Sequence, residues 1–210
     1  MIPLIKSAHI YINMTNLITG SKSVFDKCMT PMGYVDFSIY INFSKLFEEL
    51  TQGWKPSWVE VKGYTCSGNP YFNPDKYFKK NHCDVKKFSE TDDIFDAGPH
   101  LITQLNKRFA FLDKTTSYRD IGNKIVLVAI DGDSDSSEVF QTVVMKYLSF
   151  DIFVEVWAWR YFCHPLYIIL KAKADEIRIT GKLNIPLIGL ANHHIPYFEL
   201  KFLDDIDCIY

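Results

Sequence analysis

The run Lys124-Ile125-Val126-Leu127-Val128-Ala129-Ile130 constrains the chain more than any other segment, because five branched aliphatics fall within residues 125–130. So dense an apolar run between polar stretches predicts a strand. It alternates with helical patterns. Ser136 to Leu148 follows with Val139, Val143 and Tyr147 on one helical face, and Phe153-Val154-Glu155-Val156-Trp157-Ala158 is the next strand. Upstream, Ala8 to Asn13 is an apolar run that turns polar at its end, as a buried parallel strand does. Apolar residues at 39, 43, 46, 47 and 50 give Tyr34–Leu50 helical spacing, closed by Gly53 and Pro56.

Val59 to Tyr64 predicts a second strand, and Ser67 to Glu90 a loop punctuated by Gly68, Pro70 and Pro74. A helix is expected over Ile94–Phe109, with a start made irregular by Gly98-Pro99. Pro165 opens a last helix carrying Leu166, Ile169, Leu170 and Lys173. Strands alternating with helices in this way imply βαβ units. The expected class is α/β, a three-layer α/β/α sandwich around a mostly parallel sheet of Rossmann-like type. Residues 1–183 form the domain, and residues 184–210 an extension packed on it, in which Tyr197–Phe202 alternates like an edge strand.

No apolar run approaches the roughly 18 residues of a membrane span. Five cysteines (Cys28, Cys66, Cys83, Cys163 and Cys208) without CxxC spacing, and no secretory leader pattern, predict reduced thiols in a cytoplasmic or nuclear protein. Cys28, Cys66, His82 and Cys83 carry zinc-ligand chemistry but match no finger spacing.

Asp131-Gly132-Asp133-Ser134-Asp135 follows directly on the strongest strand. In an open α/β sheet, ligands bind beyond the carboxyl ends of strands. Three aspartates so close repel one another unless a cation or hydrogen-bond donors compensate, and an all-oxygen set favours Mg²⁺ or Mn²⁺. A solvated turn with an acidic helix cap is the plain alternative. An EF-hand loop beginning at Asp131 is excluded, because Ser136 and Thr142 stand where Gly and Glu are required. A dehalogenase-type Asp-x-Asp belongs on a first strand, and this one does not.

Three separated segments together resemble the NYN domain, a branch of the PIN-like metal-dependent ribonucleases. Tyr11-Ile12-Asn13-Met14-Thr15-Asn16-Leu17 is similar to the family's first strand and turn. Val128 to Asp135 is similar to its Ser-Gly-Asp-x-Asp-Phe segment. Leu166 to Ile179, with Ala174-Asp175, resembles its closing helix. The resemblance implies a metal site of Asp96, Asp133 and Asp135 holding Mg²⁺ or Mn²⁺, with Asn13 standing where the family has an aspartate. Asp131 and Ser136 depart from the pattern as well. Asn16 matches the family asparagine that shapes the first turn. The implied activity is endonucleolytic cleavage of single-stranded RNA. The alternative is a catalytically degenerate NYN scaffold recruiting proteins in an RNA-processing or RNA-silencing complex, a homodimer included.

The net charge of -2 argues against avid RNA binding, yet charge is segregated. Lys76, Lys79, Lys80, Lys86 and Lys87 fall within twelve residues holding one acid, Asp84, and Tyr71, Phe72, Tyr77, Phe78 and Phe88 interleave. Cations among stacking rings suit single-stranded RNA; a solvated loop anchored by its rings is the plainer reading. Trp157 and Trp159 share a strand face, as core or as a protein-binding platform.

Overall fold

A computed structural model describes residues 7–28, 41–66, 83–88, 97–114, 122–130, 137–181 and 195–206. Among the described residues six strands form one sheet: β1 (Ser7–Asn13), β2 (Val59–Cys66), β3 (Cys83–Phe88), β4 (Asn123–Val128), β5 (Phe153–Ala158) and β6 (Phe198–Phe202). Five helices accompany them: α1 (Met14–Cys28), α2 (Phe43–Thr51), α3 (Gly98–Lys114), α4 (Ser137–Leu148) and α5 (Pro165–Thr180). The strand order is β3-β2-β1-β4-β5-β6, and every neighbouring pair is parallel.

From β1 the chain builds outward in one direction to β2 and β3, then returns to β4 and builds the other way. Crossovers of one hand that run in opposite directions put their helices on opposite faces. That is the arrangement found. On one face, Ile10, Ile12, Val126, Val128 and Trp157 pack with Met14 and Leu17 of α1 and with Phe43, Leu46, Phe47 and Leu50 of α2. On the other, Tyr11, Tyr64, Ile125, Leu127, Val154 and Val156 pack with Leu101 and Leu105 of α3, Val143, Val144 and Tyr147 of α4, and Tyr167 and Leu170 of α5. The expected three-layer α/β/α sandwich is therefore present, with a wholly parallel sheet.

The differences from the sequence reading are local. β3 lies in the stretch expected to be a loop. Its lysine-rich Cys83-Asp84-Val85-Lys86-Lys87-Phe88 lacks an apolar alternation because it is an edge strand, where charged residues discourage pairing with other chains. Parallel pairing also sets Cys83 opposite Val61 and Cys66 opposite Phe88. The two cysteines are thus five positions apart along the ladder, roughly 16 Å at a strand's rise, too far to share a zinc ion.

α1 carries no clear helical signal, being rich in Thr, Ser and Gly. It forms because Met14 and Leu17 bury against the sheet and because Gly20 admits the Trp159 ring. A Cβ at Gly20 would lie 2.1 Å from Trp159 Cδ1. On α4 the buried face is Phe140, Val143, Val144 and Tyr147, and Val139 is exposed. On α5 it is Tyr167, Leu170 and Ala174, with Ile169 exposed. On α2 the expected residues Phe43, Leu46, Phe47 and Leu50 are buried, but the helix starts at Phe43, because the Asn42 side chain caps it by accepting the Lys45 N–H. Ile41 and Asn42 are therefore not helical, as the expected span from Tyr34 required, and residue 39 lies outside the described residues. α5 opens on His164, whose Nδ1 accepts the Leu166 N–H, and closes on Gly181 at φ 70°, whose N–H bonds to Ile177 O. The strand expected in the C-terminal extension is β6, which takes the edge position beside β5. Among the described residues no helix is long and apolar enough to cross a membrane.

Candidate site at the carboxyl ends of β1 and β4

In an open parallel sheet the strand order reverses at one place, and a crevice opens there beyond the carboxyl ends of the two strands. Here that place lies between β1 and β4, where Ile12 pairs with Val128. Asn13, the last residue of β1, is fully buried at this point. The helix α1 begins at the next residue, with no intervening loop. Asn13 Oδ1 accepts the backbone N–H of Asn16 at 3.1 Å, so the side chain caps α1. Capping satisfies one of the four amide groups that a helix start leaves without partners. Asn16, in the first turn of α1, is half-buried.

Across the reversal, β4 ends at Val128 and the chain turns sharply. Ala129 sits in the left-handed region at φ 54°, and its N–H bonds to Trp157 O at 2.8 Å. A non-glycine residue in this conformation costs on the order of 1 kcal/mol. Tight packing holds it, since Ala129 and Ile130 are both fully buried. The bend ends the ladder and directs the chain into residues 131–136. Asp131, Asp133 and Asp135 lie outside the described residues, as does Asp96. Ala97, next in sequence to Asp96, is buried at the start of α3, and its carbonyl accepts the Leu101 N–H at 3.1 Å.

Of the five candidate lysines, Lys76, Lys79 and Lys80 lie outside the described residues. Lys86 and Lys87 fall on β3. The registers Asn13↔Tyr64 and Tyr64↔Lys86 place Asn13, Tyr64 and Lys86 in one row across three strands. Lys87 pairs with Thr65, in the next row. The structure thus brings Asn13, Asn16 and the Lys86 position to one end of the sheet.

Sequence reasoning missed two residues at this edge. Tyr64 is fully buried beside Asn13 in the row just described. His100 stands in the first turn of α3, a placement hidden when the helix is expected to begin at Ile94. Pro99 was the available signal, because proline favours a helix's first positions.

Trp157 and Trp159 are core and not a docking platform, with exposures of 4% and 1%. The Trp157 indole N–H donates to Glu155 Oε1. Glu155 is 4% exposed at its side chain, is ion-paired with Lys124, and has Lys201 Nζ at 3.6 Å. Burial alone would raise the Glu155 carboxyl, but the Lys124 ammonium and the further donors hold it below the ordinary carboxylate range. Its register partner Glu199 moves the opposite way: burial and the neighbouring Glu155 charge push it up. This charged cluster lies on the sheet face of α1, in the middle of β5, away from the crevice.

Among the described residues no group of three or more His, Cys, Asp or Glu side chains is placed to hold a metal ion. No protein-family model, no curated protein and no solved structure matches this chain.

Proposed function

We propose that the chain is an RNA-processing protein of the NYN branch of PIN-like folds, which binds Mg²⁺ or Mn²⁺ in the crevice between β1 and β4 and cuts single-stranded RNA. The observation that carries this is the strand order. It sets Asn13, at the end of β1, beside the end of β4 at Val128, the two strand ends at the point of reversal, although they are far apart in sequence. A binding site is expected there on topology alone.

Asn13, Asp96, Asp133 and Asp135 supply hard oxygen donors, the set that suits these cations. Asn13 keeps an oxygen donor at this position, the amide oxygen that also accepts the Asn16 N–H. A bound divalent ion would polarise the scissile phosphate and lower the pKa of an attacking water. Asn16 and the capped start of α1 hold the turn in shape. Lys76, Lys79, Lys80, Lys86 and Lys87 would track the RNA backbone, with Lys86 in the row nearest Asn13.

A second reading, the catalytically degenerate NYN scaffold, is favoured by Asn13 itself. A neutral amide at this position removes one negative charge from the cation's surroundings, and the side chain is already engaged in capping a helix. The two readings separate on one assay. The purified chain with Mn²⁺ is expected to cleave single-stranded RNA slowly. Asp133→Asn should abolish the cleavage, and Asn13→Asp should increase it. Cleavage that persists in Asp133→Asn sinks the enzyme reading. Inactivity of both the natural chain and Asn13→Asp leaves the scaffold.

A further inference from the structure

At the opposite end of β1 from the crevice, three elements meet through one imidazole. His9 on β1 is 12% exposed at its side chain. Arg108 of α3 places Nη2 2.6 Å from His9 Nε2 and 3.5 Å from Nδ1, toward the face of the ring, and Glu60 of β2 places Oε2 2.9 Å from His9 Nδ1. A carboxylate only accepts and a guanidinium only donates, so the neutral tautomer that suits both neighbours leaves Nε2 bare, the nitrogen nearer the guanidinium. The proton then resides on Nδ1, which donates to Glu60. The imidazole in this arrangement is neutral, a relay between a cation and an anion. We infer that His9 is a neutral clamp joining α3 to β1 and β2, and that its protonation releases Arg108 and loosens α3 from the sheet.

Each group facing the ring bears on this. On β2, Glu60 also accepts from Lys62 Nζ at 2.6 Å, so its charge is shared between Lys62 and His9. On β1, Tyr11 lies two residues on along the same face. Burial lifts its hydroxyl to about 12, leaving it neutral throughout the range that matters. On α4, Tyr147 is also raised by burial and donates its hydroxyl to Leu105 O at 2.8 Å. On β4, the register neighbour Ile125 is apolar. On α3, Arg108 is the charge against the ring, and its Nε is buried with no acceptor among the described residues.

Besides the Phe111 ring, 5.7 Å from its central carbon, the guanidinium has the imidazole as its hydrogen-bond partner among the described residues. Protonation of Nε2 removes that acceptor and sets two cations in contact, and Glu60 can offset only one of them. Burial and the Arg108 charge hold His9 below the ordinary imidazole value of 6.5, against the pull of Glu60. The neutral clamp is thus complete at pH 7 and above. It fails as pH falls below 6.5, where the unfolded or detached state takes up the proton first. The consequence for function is positional, because α3 starts at the residues that follow Asp96. The clamp itself does not depend on what the crevice binds.

The test uses the full-length chain labelled with ¹⁵N. Long-range imidazole spectra at pH 7.5, with the His9 signal assigned by His9→Gln, should show a neutral ring carrying its proton on Nδ1. Hydrogen exchange, corrected for its intrinsic pH dependence, should then show amides 101–110 of α3 opening several-fold more at pH 5 than at pH 7. The α5 amides serve as the internal reference. In His9→Gln, which retains hydrogen bonding without titrating, that pH response should disappear. Arg108→Met provides an independent arm, and the titration midpoint of His9 should rise in it. A ring protonated on Nε2 at pH 7.5 overturns the inference. So does an unchanged acid response in His9→Gln, or an unmoved midpoint in Arg108→Met.

Discussion

Gly20→Ala is the sharpest test of how α1 is seated. An alanine Cβ at this position would lie 2.1 Å from Trp159 Cδ1 and 2.2 Å from Trp159 Nε1. Ordinary carbon contacts begin near ~3.5–4.0 Å, so the overlap is about 1.5 Å. Trp159 is 1% exposed within the core beneath α1, and its rigid ring has no room to retreat. Overpacking of this kind costs roughly 1–3 kcal/mol. The alanine returns about 1 kcal/mol through its better helix propensity. An overlap this deep puts the steric term at the upper end of its range, so it wins and a net loss of about 2 kcal/mol is expected. For a domain of this length the melting temperature should fall by roughly 4–8 °C.

The assay is a thermal melt of Gly20→Ala beside the natural chain, repeated in a Trp159→Leu background. The smaller side chain vacates the volume that the new methyl needs. Gly20→Ala should then be neutral or slightly stabilising, with a coupling between the two positions inside the ~0.5–3 kcal/mol seen for residues in contact. An unchanged or raised melting temperature in the single variant would refute the close-approach argument. Equal losses in both backgrounds would refute it too, by showing that the cost does not come from Trp159.

Two further expectations concern the charged cluster on β5. Glu155→Leu strands Lys124, whose side chain is 12% exposed, without its carboxylate. The expected cost is about 3 kcal/mol, the lower end for a broken buried pair, and urea unfolding at pH 7 reads it directly. Because the Glu155 carboxyl is held below its ordinary value, its contribution is complete above pH 4.5 and is lost as pH falls through the folded value. The gap between variant and natural chain should therefore narrow in acid. Glu199→Gln has the opposite sign. A carboxyl raised by burial and by Glu155 stabilises only while protonated, so the glutamine should raise the melting temperature at pH 7.5 and confer no advantage below about pH 4. A destabilised Glu199→Gln at pH 7.5 would mean that the Glu155–Glu199 repulsion is not felt.

What could be read from the sequence was whatever burial writes into local periodicity. The continuous apolar runs of β1, β4 and β5 announce strands covered on both faces, and Phe43, Leu46, Phe47 and Leu50 announce the buried side of α2. Together they imply a parallel α/β sandwich before any contact is known. Asn16 was placed at the first turn by resemblance and Asn13 at the metal site; that the two are joined, Asn16 N–H to Asn13 Oδ1 at 3.1 Å, with Asn13 capping α1, was not read.

Tertiary structure decided the rest, because those features depend on partners distant along the chain. α1 has a poor local signal and exists by burying Met14 and Leu17 and by letting Trp159 against Gly20. β3 is a strand because β2 offers it a free edge, and its lysines speak of that edge as much as of a ligand. Whether Lys86 or Lys87 shares a row with Asn13 is a matter of register, which a shift of one residue would reverse. Arg108 and His9 are 99 residues apart, and no local pattern pairs them. The sequence by itself determined which segments must be buried. Only the folded sheet, by ordering its strands and reversing between β1 and β4, determined which of their ends lie side by side.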